Sequence, residues 1–371
     1  MPAAATNPQS ISAGASRIRV KFLSKAQPPT KEYGVWLSRF PHGTPTWGRC
    51  DFIFDQDCQS YDWLVVYDDL PRRAHDNRPL WDEHLACPRA NTLLLTTEPS
   101  SIKLYGNGFA SQFGWVLTSQ EPWALRHPHR IYRQAGLLWF YGNTGRRGSY
   151  DGLAAQTQSL PKTRDISTVC SAKQMRHTLH QARYDFTQAL KAKIPDMDIF
   201  GLGVRPIPDK AEALDAYRYH VAIENHVSPH HWTEKLADPL LAYSLPFYYG
   251  PANVAEYIPE ESFIPIDIFK FGEAFERISK AIRDREYEKR LPAIREARRR
   301  ILEEYSTFAQ LRRLIEERHT PAAADPAQAG HLLSRHAWRG KHPFEAVVFA
   351  LSKGLVQARA FCANRNFDPN S

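Results

Sequence analysis

The sequence predicts an α/β protein of two domains, and three observations carry that expectation. From Tyr217 to Asp267 the apolar pattern switches between a strand period and a helix period, giving the order strand, helix, strand, helix, strand of a parallel sheet. The first third holds further short apolar runs joined by brief connections. Between them lies 142–162, GNTGRRGSYDGLAAQTQSLPK, whose Gly, Ser and Gln content marks a boundary. A chain of 371 residues is long enough for two cores.

Residues 1–16 are Ala, Ser, Pro and Asn without an apolar stretch, so they read as disordered and as neither a signal peptide nor an anchor. The first domain is set at 17–150. Its strands are expected at Arg17–Leu23, Asp51–Phe54, Asp62–Tyr67, Thr92–Thr97, Phe113–Thr118 and Leu137–Tyr141. Asp68-Asp69-Leu70-Pro71 and Glu98-Pro99-Ser100-Ser101 form the turns that follow two of them. The second domain is set at 163–319. It opens with a strand at Asp165–Ser171, a helix at Gln174–Ala192, a strand at Met197–Gly201 and a short helix at Lys210–Ala216. Next come a strand at Arg218–Ile223, a helix at Thr233–Tyr243 with Leu236, Leu240 and Leu241 on one face, and strands at Leu245–Tyr249 and Ser262–Ile266. Helices follow at Gly272–Ile282 and Ala293–Glu317, divided by Pro292, with Arg and Glu at the spacing of an ion-paired face. Residues 320–371 read as a linker, TPAAADPAQAG, and a tail. The tail has an apolar centre at Phe344–Leu351 flanked by Arg335, Arg339, Lys341, Lys353 and Arg359.

Composition narrows the partners. The formal charge of +8 favours anions: nucleotide sugars, phospholipid headgroups or nucleic acid. Five scattered cysteines (Cys50, Cys58, Cys87, Cys170, Cys362) without a C-x-x-C read as reduced thiols in a cytoplasmic protein. No apolar run approaches the ~20 residues that span a bilayer. The cation-flanked tail suggests peripheral contact with an anionic membrane, at its inner face, and a helix packed back on the protein fits the same pattern equally.

Polar residues gather where the strand ending at Ile223 gives way to the next helix: Glu224, Asn225, Glu234 and Lys235. Ligands bind at that edge of open α/β sheets. Thr233 suits the N-cap and Glu234 the first turn. Lys235 opposes the helix dipole there, and a bound anion would resolve the conflict. Other patterns are weaker. Asp55-Gln56-Asp57 and Asp196-Met197-Asp198 have the spacing of an acidic metal motif. His127/His129 and His230/His231 lack a convincing third ligand. Gly201-Leu-Gly203 lacks the third glycine of a dinucleotide fingerprint and reads as a tight turn.

The run containing Tyr217, Glu224, Asn225, Thr233, Glu234, Lys235, Pro246 and Gly250, continued by Tyr257-Ile-Pro and Ser262-Phe263-Ile264, resembles the signature of glycosyltransferase family 10, the α-1,3/4-fucosyltransferases. The sequence departs from it at Ile223, where phenylalanine is usual, and at His230-His231-Trp232, which replace Asp-Tyr-(Val/Ile). The resemblance implies the GT-B fold, two Rossmann-like domains facing across a cleft, in a bacterial type of member without an anchor. It implies inverting transfer of L-fucose from GDP-fucose, held by the second domain, to a glycan hydroxyl held by the first. By the same resemblance Arg183, in ARYDFTQAL, and Lys235 stabilise the leaving GDP. Asn225 and Glu234 hold donor hydroxyls, His231 stands at a donor-contacting tyrosine position, and Glu98 is the general base, with Glu121 competing. No metal or cofactor is required. Two alternatives stay open. One is the same machinery with another nucleotide sugar, given His231; the other is a non-catalytic basic protein that binds nucleic acid.

Overall fold

The computed structural model describes residues 16–25, 33–71, 82–175, 178–321, 330–363 and 367–368. The N-terminal segment 1–15 and most of the expected linker lie outside the described residues. The chain divides into two compact units, 1–136 with 305–353, and 137–304 with 354–371.

Among the described residues, the 1–136 part of the first unit holds the strands β1 (Ile18–Ser24), β2 (Thr46–Trp47), β3 (Cys50–Ile53), β4 (Trp63–Tyr67), β5 (Asp82–His84), β6 (Thr92–Leu95), β7 (Trp115–Thr118) and β8 (Arg130–Tyr132). Seven of them form one sheet in the order β2-β3-β1-β4-β6-β7-β8. Every pairing is parallel except β2 with β3. The chain winds outward from β1 to β3, then crosses back to β4, so the sheet is doubly wound with a switch point between β1 and β4. The apolar runs WLVVY and TLLL are buried along their whole length, as strands covered on both faces must be. The short, charged β8 carries too weak an apolar signal to be read from sequence.

Leu137–Tyr141, expected as a strand, is not one. The backbone N–H groups of Phe140 and Tyr141 donate to the Asp238 carboxylate at 2.9 and 3.2 Å. A buried charged acceptor takes the donors that a ladder would have used.

The first unit is completed from the far end of the chain. The expected break at Pro292 does not occur, because a helix runs through it from Glu286 to Arg300. Burial of Tyr287, Ile294, Ala297 and Arg298 outweighs one missing backbone hydrogen bond. The turn comes instead at Ile301–Tyr305, a single π-helical segment, after which the helix Thr307–Arg318 joins the first unit. Phe308 is the reason. Its ring stacks on Phe40 at 4.1 Å and meets Phe52 at 5.1 Å and Phe22 at 5.2 Å. The expected division at 150–163 and 319 therefore moves to 136/137 and 304/305. The tail also begins later than expected. Strand β14 (His331–Leu333) pairs antiparallel with β5, Leu332 is fully buried in the core, and Arg335 Nε donates to Asp69 Oδ2 at 3.1 Å.

The second unit holds β9 (Arg164–Val169), β10 (Asp198–Phe200), β11 (Tyr217–Ile223), β12 (Leu245–Tyr249) and β13 (Ile264–Pro265). They form one all-parallel sheet in the order β10-β9-β11-β12-β13. Helices His180–Lys193, Ala211–Leu214 and Glu234–Leu241 lie in successive crossovers. Here too the order reverses once, between β9 and β11. Gly201, at φ 135°, follows β10 as a tight turn, and a Cβ there would stand 2.5 Å from the Cys170 carbonyl oxygen.

Because Phe308 is inserted among aromatic rings of the first unit, Phe308→Ala is expected to destabilise that unit by about 3–5 kcal/mol. Thermal unfolding followed by near-UV circular dichroism checks it.

Candidate functional site

The switch point of the second sheet is spanned by one side chain. Arg183 projects from the helix His180–Lys193 and is 9% exposed. Its Nη2 donates to the carbonyl of Val169, the last residue of β9, at 2.6 Å, and its Nη1 to Asn225 Oδ1, just past β11, at 2.8 Å. Both acceptors are neutral. Among the described residues the guanidinium has no carboxylate partner, so its charge stays uncompensated in a low-dielectric place.

Lys235 is differently placed. Thr233 caps the helix Glu234–Leu241, its hydroxyl accepting from the Lys235 N–H at 3.3 Å. The expected clash between Lys235 and the helix dipole is already relieved within the protein. Its ammonium lies 2.9 Å from Glu234 Oε1 and 3.7 Å from Glu224 Oε2. Burial works against the ammonium, yet the two carboxylates outweigh it and hold the Lys235 pKa above the ordinary value.

Glu224 is fully buried. It accepts from the Thr233 N–H at 2.9 Å, from the Thr233 hydroxyl at 2.8 Å and from the Tyr248 hydroxyl at 3.1 Å. Burial lifts its pKa despite Lys235. Burial acts the same way on Glu234, but Lys235 and Lys210 prevail and hold it well below the usual carboxylate range.

Arg183, Lys210, Glu234, Lys235, Asp238 and His220 line one cavity of about 120 Å³ at the carboxyl edge of β9 and β11. That is below the ~300–1,000 Å³ of a site for a whole small ligand, so it accommodates only a fragment of one. Three of these residues were not legible in the sequence. Lys210 Nζ lies 2.6 Å from Asp238 Oδ2 and 3.9 Å from Glu234 Oε1. His220 accompanies Ser167 Oγ at 2.9 Å, and burial, with the nearby charges of Lys210, Arg183 and Lys162, pushes its pKa down to about 3. The imidazole is therefore neutral at ordinary pH. One signal was available: Asp238 is an acid inside an otherwise apolar helical run, Leu236 to Leu241.

His231 is buried in the 226–232 loop, its ring edge-on to His226 at 5.6 Å, and is not among the residues of the cavity wall. Asn225 enters through its contact with Arg183. Asp198, from one acidic triplet, is taken by Arg164 at 2.5 Å and the Tyr217 hydroxyl at 2.7 Å. Glu98 belongs to the other unit. It is exposed on the loop after β6, at the carboxyl edge of that sheet, while Glu121 is half-buried after β7.

A half-buried lysine ties two of the site helices together. Lys162 Nζ donates to the carbonyls of Leu214 and Ala242, at the ends of two site helices, at 3.0 and 2.8 Å. Burial pushes its pKa from 10.5 down to about 7.

The arrangement defines a class: a doubly wound α/β domain with cations at its switch point. Residues 160–289 match the model of Glycosyltransferase family 10 (fucosyltransferase) C-term. The chain is 33% identical over 96 residues to the 4-galactosyl-N-acetylglucosaminide 3-alpha-L-fucosyltransferase of Pongo pygmaeus, covering 24% of this chain and 26% of that one. It is 33% identical over 94 residues to the 3-galactosyl-N-acetylglucosaminide 4-alpha-L-fucosyltransferase of Homo sapiens, with coverages of 24% and 26%. The chain thus spans about a quarter of the length of these relatives. A crystal structure of an alpha1,3-fucosyltransferase superposes at a TM-score of 0.47 and 15% identity, covering 77% of this chain and 84% of that one.

The sign of the Lys162 effect follows from proton counting. Between pH of about 7 and 10.5 the unfolded chain holds a proton that folded Lys162 has lost, so this group adds stability as pH rises through that window. Below about 7 both states are protonated and the unfavourable burial of charge is fully felt. Lys162→Met should lose this dependence. Its melting temperature relative to the parent is expected to fall steadily from pH 7 to pH 10, as paired thermal melts would register.

Proposed function

We propose that the chain is an inverting glycosyltransferase that moves L-fucose from GDP-fucose to a hydroxyl of a glycan acceptor. One observation carries the reading: the Arg183 guanidinium at the switch point, bound only to neutral oxygens, beside Lys210 and Lys235. Such a place favours an anion, and the modest cavity suits a diphosphate better than a whole nucleotide sugar. The activities for which the relatives are named supply the sugar and suggest galactosyl-N-acetylglucosaminides as the acceptor class to try.

In this reading the second unit holds the donor, and Arg183 and Lys235 stabilise the charge that develops on the departing GDP. Asn225 and Glu234 hold donor hydroxyls, and His231 shapes the sugar side of the site. Glu98 of the first unit takes the proton of the attacking hydroxyl. A single in-line displacement inverts the anomeric carbon without a nucleophilic side chain, and the two cations do the work of a bridging metal. The tyrosine position filled by His231 supports the variant in which another nucleotide sugar is the donor. Binding of nucleic acid is less favoured, since Arg290, Arg299 and Arg300 are paired with Glu286, Glu296, Glu303 and Glu304.

GDP should bind in the presence of EDTA, and Arg183→Ala should weaken it by about 1.5–3 kcal/mol. Calorimetric titration of GDP and UDP into both Arg183→Ala and Lys235→Ala makes the test. Unchanged affinity in both variants would overturn the assignment, and preference for UDP would transfer it to another donor.

The same proposal places the protein at an anionic membrane through the helix Pro343–Ala363. Phe344, Val347, Val348, Leu351 and Leu355 recur at helical spacing and are all exposed, Phe344 at 80%, with Lys341 and Lys353 exposed nearby. Among the described residues no helix is long and apolar enough to cross a membrane. Sedimentation with vesicles containing phosphatidylserine should retain the parent protein and release Phe344→Glu/Leu351→Glu. Equal sedimentation of both would remove the membrane role.

A further inference from the structure

We infer that Asp68, Tyr105 and Gln120 form a frame that positions the Glu98 carboxylate; this rests on the assignment of Glu98 as the base. The side chain of Glu98 is exposed, yet its loop is not free. Thr96, Pro99, Ser100 and Ser101 are buried around it. The N–H groups of Ile102 and Lys103 both donate to the Pro99 carbonyl, at 3.0 and 2.9 Å. An exposed acid on a buried, cross-bonded loop has a fixed root.

The frame closes on that root from two sides. On one side the hydroxyl of Tyr105, itself 1% exposed, accepts the Thr97 N–H at 2.9 Å and donates to Asp68 Oδ1 at 2.6 Å. Thr97 Oγ1 also donates to Asp68 Oδ1, at 3.2 Å, and the Lys103 ammonium is ion-paired with the same oxygen. Asp68 directly follows β4, at the switch point of the first sheet, and adopts φ 75°, a left-handed conformation that a residue with a Cβ takes up at some strain. Three donors on one carboxylate oxygen hold it there.

On the other side Gln120 Nε2 donates to the Glu98 carbonyl at 2.8 Å and to the Lys103 carbonyl at 2.7 Å. The Gln120 N–H in turn donates to Thr118 Oγ1 at 2.9 Å, and Thr118 Oγ1 accepts from Thr96 Oγ1 at 2.8 Å. The two carbonyls fix which way the amide faces. Its Oε1 is left buried without a hydrogen-bond partner among the described residues. Packing does not call for this chemistry, because phenylalanine and methionine would fill the same space without a buried hydroxyl or an orphaned acceptor. What the polar groups add is geometry: the backbone before Glu98 and the carbonyl of Glu98 itself are each tied by a directional bond. A base must lie within hydrogen-bond reach of the hydroxyl it serves, and a small misplacement is expensive in rate.

The test is a double-mutant cycle on the full chain, read as fucose transfer from GDP-fucose to galactosyl-N-acetylglucosaminide. Glu98→Gln should lower kcat by at least ~10²-fold. Tyr105→Phe should lower kcat about 10-fold with the KM for GDP-fucose changed less than about 2-fold, and should cause no further loss in the Glu98→Gln background. Gln120→Met, which opens the other side, is read the same way and serves if Tyr105→Phe does not fold. A full kcat in both Tyr105→Phe and Gln120→Met overturns the frame while leaving Glu98 as base. An equal loss in the parent and Glu98→Gln backgrounds also overturns it, since the effect then does not pass through Glu98. A fully active Glu98→Gln protein refutes the base assignment, and the frame falls with it.

Discussion

A carboxylate removed from water must find donors, and Glu224 finds them on two elements at once. It sits at the end of β11, receives the backbone and hydroxyl of Thr233 at the start of the next helix, and takes the hydroxyl of Tyr248 from β12. Its remaining charge is met by Lys235. Because each donor is directional, this one side chain fixes where the helix Glu234–Leu241 begins relative to the sheet. The placement of Glu234, Lys235 and Asp238 around the cavity follows from it. Removing the acid would leave a capping threonine, a buried tyrosine and a lysine without their common acceptor, so the network stands or falls as a unit.

The cavity shows how a charged group is kept ready without being neutralised. Lys235 and Lys210 share Glu224, Glu234 and Asp238. Arg183 instead spends its donors on a backbone carbonyl and an amide, which satisfy its geometry and leave its charge. The neutral His220 behind it adds no competing cation. Nearby, Lys162 joins the ends of two helices through the carbonyls of Leu214 and Ala242.

Both units use the same topological device. Each sheet reverses its winding once, and at each reversal the carboxyl ends of two strands diverge and leave backbone groups without strand partners. In the second unit Arg183 occupies that gap; in the first, Asp68 does, held in a left-handed conformation by Lys103, Tyr105 and Thr97. The first unit also needs the chain to come back to it. The aromatic surface of Phe22, Phe40 and Phe52 is not closed by its own sequence neighbours, and Phe308 closes it from more than 250 residues away.

The sequence by itself determined the α/β class, most strands to within two residues, the N-cap at Thr233 and the cluster of Glu224, Asn225, Glu234 and Lys235. Those features are written in local periodicity, capping chemistry and a motif of contiguous residues. It could not reveal that Leu137–Tyr141 would surrender its N–H groups to Asp238, because the competing acceptor lies nearly a hundred positions on. Pro292 looked like a helix end because local propensity ignores the burial of Tyr287, Ile294 and Ala297. Lys210, His220 and the Asp68–Tyr105–Gln120 frame were invisible for the same reason. Each depends on bringing the carboxyl ends of separate strands to one sheet edge, and only the tertiary structure decides which side chains meet there.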